Sequence, residues 1–326
     1  MNPLQAWTDN GRHHTPGCAP TWNEATQLAL LWGDEATPLD NQWSGLLGRL
    51  GGLGALTTMV ENRAVAVAVT TRLRLGLGFN GSLVLHGQRC RLTLWRSELG
   101  FAFATGAPRR KGLASGFSIH GVDGKRAVAM ELDESQDLAA FHAVALDHRS
   151  VHPMAVPTVR PSLAAARARR SAQLGPDFLQ AWTQASSHSD LDRLIDLQQL
   201  DRLQAYRLLA GQGTSPLSAG AALQSLRTLV DGGQGLTVSV GRGPAALQVH
   251  CLPDKLGLKG HQAVLQAPEL AVAIDMRQVA EVWQVDIGTE TATEMLDETG
   301  RLLARIGSRA SFEQTIRPCW TQTSTS

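Results

Sequence analysis

Apolar positions change their period several times along the chain, and each change marks an expected element. Between Trp22 and Trp32, Ala25, Leu28 and Leu31 recur every three residues, as in a helix that Gly33-Asp34 stops. A second helix is expected over residues 41–50, with Trp43, Leu46, Leu47 and Leu50 on one side and Gly51-Gly52 at its end. The period then falls to two. Residues 55–60, 64–71, 73–79, 83–85, 91–95, 99–104, 117–120 and 127–131 are rich in Val, Leu and Thr and read as strands. Val122-Asp123-Gly124-Lys125 is a hairpin turn, because Asp-Gly tolerates positive φ. Helical spacing returns over 137–146.

The middle of the chain, 178–209, carries apolar residues at threes and fours: Phe178, Trp182, Ala185, then Leu191, Leu194, Ile195, then Leu203, Tyr206, Leu209. That spacing predicts two amphipathic helices, or one broken helix, with a buried face. Ser186-Ser187-His188-Ser189-Asp190 lies between the first two runs. Ser and Asp compete for backbone hydrogen bonds, so this is a helix stop and N-cap. His188 is the only histidine of the segment.

Beyond it the first pattern returns. A helix is expected at 223–230, strands at 236–240, 247–251, 270–274, 279–285, 291–296 and 302–306, and a hairpin turn at Glu298-Thr299-Gly300. Gly54-Ala55-Leu56-Thr57 falls on Gln234-Gly235-Leu236-Thr237, and Phe103 falls on Trp283, both at an offset of 180 residues. The turn at 122–126 falls on 298–301 at a slightly smaller offset. The expected class is α+β: a tandem repeat of two similar units, each a large antiparallel β-sheet with flanking helices. Residues 1–20 read as a mobile N-terminus, 21–150 as the first repeat, 151–170 as a proline- and arginine-containing linker, and 171–326 as the second repeat with the central helices.

Composition narrows the function classes. Thirty basic and 29 acidic residues leave a net charge of +1, which argues against a general nucleic-acid binder. The basic stretches at 108–112 and 160–170 read as solvated loop and helix start. Cys18, Cys90, Cys251 and Cys319 form no CxxC pair and read as reduced thiols of a cytoplasmic protein. The N-terminus has no signal-peptide pattern, and no apolar run reaches the roughly 20 residues of a membrane span. Phosphate-loop, nucleophile-elbow and dinucleotide motifs are missing, and the histidines form no ligand set of set spacing. His13-His14 with Cys18 reads as a polar terminus.

The order of elements resembles the HemS-like haemin-utilisation family, the haemin-degrading factors. In the first half the resemblance rests on Gln42-Trp43-Ser44-Gly45-Leu46-Leu47, Leu53-Gly54-Ala55-Leu56-Thr57, Glu61-Asn62, Phe79-Asn80-Gly81, Cys90-Arg91-Leu92 and Phe117 with Asp123-Gly124. In the second half it rests on Trp182, Asp201 to Tyr206, Leu247 to His250, and Val279 to Trp283. It implies a tandem fold with haem in a cleft between the units.

The resemblance also implies site residues. The family's proximal histidine starts the central helix. Aligned without gaps, that position is Ser189, and His188 stands one place earlier. A one-residue shift turns a helix by about 100°; His188 could still ligate if it lies at the non-helical N-cap, where the rotation differs. Arg91 matches a strand arginine on the open side of the iron, and is the catalytic candidate as a distal hydrogen-bond donor. Arg202 and Arg309, the latter with Arg305 as a neighbour, match arginines that pair with the propionates. The family's lysine falls near Ile287, and its tyrosine before the final glycine has no counterpart. His250 reads as structural. The implied function is haem uptake and trafficking for iron acquisition, with oxidative haem degradation left open. A haem importer and an electron donor are the implied partners. The residues leave a second reading open: a relative without haem, acting as a structural or interaction protein or binding another flat apolar ligand.

Overall fold

The computed structural model describes residues 23–30, 36–78, 81–106, 115–133, 138–151, 158–160, 176–198 and 200–308. The expected mobile terminus, most of the linker, the 108–112 loop, Cys18, Cys319 and Arg309 lie outside the described residues.

Among the described residues, short Val- and Leu-rich runs become eighteen strands. The first half supplies β1 (Ala36–Leu39), β2 (Leu56–Glu61), β3 (Val65–Thr71), β4 (Arg74–Gly76), β5 (Ser82–His86), β6 (Cys90–Trp95), β7 (Leu99–Thr105), β8 (Gly116–Gly121) and β9 (Arg126–Leu132). The second supplies β10 (Thr214–Leu217), β11 (Leu236–Arg242), β12 (Ala245–Cys251), β13 (Lys255–Lys259), β14 (Gln262–Ala267), β15 (Leu270–Asp275), β16 (Glu281–Ile287), β17 (Glu290–Leu296) and β18 (Leu302–Ser308). The helices are α1 (Glu24–Leu30), α2 (Trp43–Arg49), α3 (Leu138–Asp147), α4 (Pro176–Gln184), α5 (His188–Gln198), α6 (Arg202–Leu208) and α7 (Ala219–Asp231). The central stretch thus holds three helices, where periodicity predicted two or one broken one. Strands β1, β10, β13 and β14 were not expected. The first two carry Pro38 and Pro216, which sheet edges tolerate, and β13 is a largely exposed edge strand with little alternation.

Two nine-stranded antiparallel sheets result. One has the order β1-β7-β8-β9-β2-β3-β15-β14-β13; the other has β10-β16-β17-β18-β11-β12-β6-β5-β4. The two orders correspond strand for strand. Pro38 opposite Phe103 repeats as Pro216 opposite Trp283, so the repeat seen at an offset of 180 residues is a true structural equivalence. The halves also exchange strands. Strands β4–β6 extend the sheet of the second half, and β13–β15 extend that of the first.

The inner faces pack together. Leu56, Val60, Val65, Val67, Leu92 and Leu94 share one apolar core with Leu236, Val238, Val240, Leu247, Val272 and Ile274, joined by Phe117, Phe141, Leu226 and residues of α2. Cys90 and Cys251 are free thiols in this core, and burial pushes them up to about 11 and about 12. Asn62 Nδ2 donates to the Leu303 carbonyl at 2.7 Å, and Arg63 pairs with Glu298, tying the first half to the second at a turn. The seam between the sheets is therefore filled by side chains. Among the described residues, groups from both halves meet on an outer sheet face.

Candidate functional site

Directly paired residues of antiparallel strands share a face. One register row on the outer face of the second sheet runs Trp283, Glu294, Arg305, Ser239, Gln248, Arg91 and His86, across β16, β17, β18, β11, β12, β6 and β5. Helices α4–α6 cover one end of this face. Phe178, Trp182, Leu191, Ile195, Tyr206 and Leu209 pack on Trp283, Val285, Ile287 and Leu296. Further along the row, Ser239 and Gln248 are half-buried, and Arg91 and His86 are exposed. The equivalent row of the first sheet is Phe103, Ser118, Ala129, Met59, Ala68, Ala271 and Gln266. In this row the second sheet carries Glu294, Arg305 and Arg91, and the first carries no charged residue.

The start of α5 decides where His188 points. Ser187 Oγ accepts from the Asp190 backbone N–H at 3.2 Å, and the Asp190 carboxylate accepts from the Ser186 N–H and from both serine hydroxyls. Ser187 is therefore the cap, and His188 is the first helical residue instead of the cap itself. That setting turns His188 inward, 7 % exposed, and leaves Ser189 outside. The His188 backbone N–H donates to Glu290 at 2.9 Å, pinning the helix start to the β16–β17 hairpin. Both ring nitrogens are buried without a hydrogen-bond partner among the described residues. Nδ1 lies 3.8 Å from Glu294 Oε1. Burial, then the nearby Arg305 charge, lowers the His188 pKa to about 4, so the imidazole is neutral near pH 7.

Around it stands an ionic network. Arg202 Nη1 donates to Glu294 at 3.0 Å and to the Tyr206 hydroxyl at 2.8 Å, and its Nη2 reaches Asp192 at 2.5 Å. Arg305 donates from Nε to Glu294 at 2.7 Å and from both Nη atoms to Asp192. The Tyr206 hydroxyl donates to Glu294 at 2.5 Å. Glu294 and Tyr206 have no exposed surface. Burial alone would raise the Glu294 pKa, but the Arg305 and Arg202 guanidinium groups hold it below the usual range. The network clamps α5 and α6 onto β17 and β18.

Of the residues singled out by sequence, His188 and Arg91 thus share one sheet face. Three inter-strand steps, about 14 Å, separate β18 beside His188 from β6, which carries Arg91. Arg91 makes no ion pair among the described residues, and its charge, after burial, lowers the pKa of His86 on the neighbouring strand. Arg202 is committed to carboxylates of the chain itself, Asp192 and Glu294. His250 sits on the same face and its Nδ1 lies 3.0 Å from Thr237 Oγ1. Glu294, Asp192 and Arg305 escaped the sequence reading as a group. A signal existed: the turn at 298–300 sets residue 294 opposite 305 across a hairpin, and Asp192 is four residues after His188 on one helix face.

No helix among the described residues is long and apolar enough to cross a membrane. No protein-family model matches the chain, and no curated protein matches it. Solved structures do. Holo-PhuS, a heme-binding protein from Pseudomonas aeruginosa, aligns with a TM-score of 0.80 at 19 % identity, covering 94 % of this chain and 92 % of PhuS. ChuS, an Escherichia coli heme oxygenase, aligns at 0.77 and 15 % identity, covering 90 % and 91 %. ChuS of the O157:H7 strain, a heme degrading enzyme, aligns at 0.76 and 16 % identity, covering 88 % and 85 %. A likeness of this extent at such low identity is one of fold, and the chain has the two-unit fold of PhuS and ChuS.

Proposed function

We propose that this chain binds haem on the outer face of its second sheet, with His188 as axial ligand, and serves haem uptake and trafficking in the cytoplasm. The observation that carries the reading is His188 itself, a buried neutral imidazole whose two nitrogens lack hydrogen-bond partners among the described residues. Such a group is costly unless something completes it, and neutral imidazole is a good donor to haem iron. The residues present therefore fit the group. That PhuS is a heme-binding protein and ChuS a heme oxygenase, on the same fold, supports the reading.

Haem would supply the redox chemistry when bound. This chain's part is to hold and orient it. Arg91, exposed and free of ion pairs among the described residues, is the proposed distal hydrogen-bond donor and the catalytic candidate if the ring is opened. Arg202 holds Glu294 and Asp192, which makes it part of the scaffold of the site and leaves it no free donor pair for a propionate. Arg309, directly after β18, keeps that role. A haem importer would deliver the ligand, and turnover would need an electron donor.

Hemin titration of the purified protein tests this. A Soret shift with one-to-one uptake is expected, weakened at least tenfold in His188→Ala. Arg91→Ala is expected to keep uptake and to slow bleaching of the Soret band by ascorbate under air, with catalase present. Unchanged uptake by His188→Ala removes the ligand assignment. A second reading, a haem-free relative, draws on two observations: the gapless ligand position is an exposed serine, and the arginines nearest His188 are already neutralised. Absence of any Soret shift in the unmodified protein would select it.

A further inference from the structure

Resting on the haem reading, we infer that Arg74 and His86, at the open edge of this face, form a carboxylate-binding subsite that takes a propionate of the bound ring. The register row that runs from Trp283 past Glu294 and Arg305 continues beyond His86: Arg74 of β4 stands opposite His86 and ends it. Arg91, His86 and Arg74 are thus exposed neighbours on one face of the last three strands of the sheet. The His86 ring lies against Gly76 of β4, where a Cβ would stand 2.6 Å from His86 Cδ2. Glycine at that position leaves room for the imidazole on the same face as Arg74.

Charge at this edge is unbalanced. The chain has no Asp or Glu between Glu61 and Glu98, and strands β11, β12, β6, β5 and β4 contain none. Arg72, Arg74, Arg89, Arg91 and Arg96 fall in that stretch, and none of them makes an ion pair among the described residues. At the helix end of the same face, Arg202 and Arg305 are held by Asp192 and Glu294. A flat ring with carboxylates on one side therefore meets uncommitted guanidinium groups at the β4–β6 side. Guanidinium pairs with carboxylate through two parallel N–H groups, and a neutral imidazole adds one more donor. Arg74 lies two inter-strand steps, about 10 Å, beyond Arg91. That is comparable with the span from the centre of a porphyrin to its propionate carboxylates, so Arg91 can face the iron while Arg74 holds the rim. The counterparts of Arg91, His86 and Arg74 in the first sheet are Ala271, Gln266 and Lys255, on a sheet whose β2 and β15 carry Glu61 and Asp275. The subsite belongs to one repeat only.

Metal-free protoporphyrin IX and its dimethyl ester need no iron ligand, so fluorescence titration with them reads the subsite apart from His188. The unmodified protein is expected to bind the free acid more tightly than the diester. Arg74→Glu is expected to weaken binding of the free acid about tenfold and to leave the diester unchanged. Lys255→Glu, the same reversal at the counterpart position of the first sheet, is expected to change neither. With hemin, Arg74→Glu is expected to weaken uptake without moving the Soret band of the complex, because ligation is untouched. Equal binding of the free acid by Arg74→Glu and the unmodified protein, both folded by circular dichroism, overturns the inference. An equal loss for acid and diester overturns it too. If His188→Ala takes up hemin normally while Arg74→Glu still weakens the free acid, the ligand assignment fails and the subsite stands. If no ring binds in any form, both fall.

Discussion

Arg305 Nε donates to Glu294 Oε1 at 2.7 Å across the β17–β18 pair, and both side chains lie under helices. Neither charge can turn to water if the other is removed. Arg305→Met should therefore cost about 3–5 kcal/mol in denaturant unfolding of the haem-free protein. The double variant Arg305→Met with Glu294→Leu should cost less than Arg305→Met alone, since no orphaned charge remains. A double variant that costs the sum of the singles would contradict this account.

His188 makes stability depend on pH in a defined window. Folded, it titrates at about 4; unfolded, at about 6.5. Between these values the unfolded chain holds a proton that the folded one lacks, so stability falls as pH drops through the window. The loss is on the order of 3 kcal/mol, and stability is fully present above about pH 7. Glu294, held low by its arginines, adds a separate loss at still lower pH. Denaturant unfolding from pH 4 to 7.5 should show the slope, and His188→Gln should flatten it there while leaving the acid limb.

Strand exchange predicts that the halves do not fold alone. Expressed separately, 1–150 lacks the three strands that continue its sheet past β3, and 171–326 lacks those that continue its sheet past β12. Each piece exposes a long central edge and half of an apolar core. Circular dichroism and limited proteolysis should find neither stable, with structure regained on co-expression. Two independently stable halves would count against the shared core.

Gly288 holds the site from behind. Its φ is +59°, and a Cβ there would stand 2.8 Å from the Ser186 carbonyl oxygen, two residues before His188. Gly243, in the β11–β12 turn, has φ +49° and open space around it. Both alanine variants carry backbone strain of about 1 kcal/mol, but only Gly288→Ala pushes on the start of α5. Hemin affinity should drop several-fold in Gly288→Ala and stay unchanged in Gly243→Ala. Equal effects would mean that the helix start does not position the ligand.

Much of the fold was legible in the chain before any coordinates. Two-residue alternation located most strands, because burial of one face imposes it, and Phe103 and Trp283 betrayed the repeat because each packs at the same register position. Edge strands such as β13 were silent, since an exposed edge needs no alternation. Which strands become neighbours was also silent: alternation says that a face is buried, not against what, so the exchange of β4–β6 for β13–β15 emerged only on folding. The same holds at the site. His188 and Arg91 stand out as residue types, but a lone charge in a strand, such as Glu294 or Arg305, reads as solvated until the register sets it beneath a helix. Whether residue 188 or 189 faces the sheet depended on which serine caps α5, a choice made by hydrogen bonds to Asp190 and Glu290 that come from the helix and from a distant hairpin together.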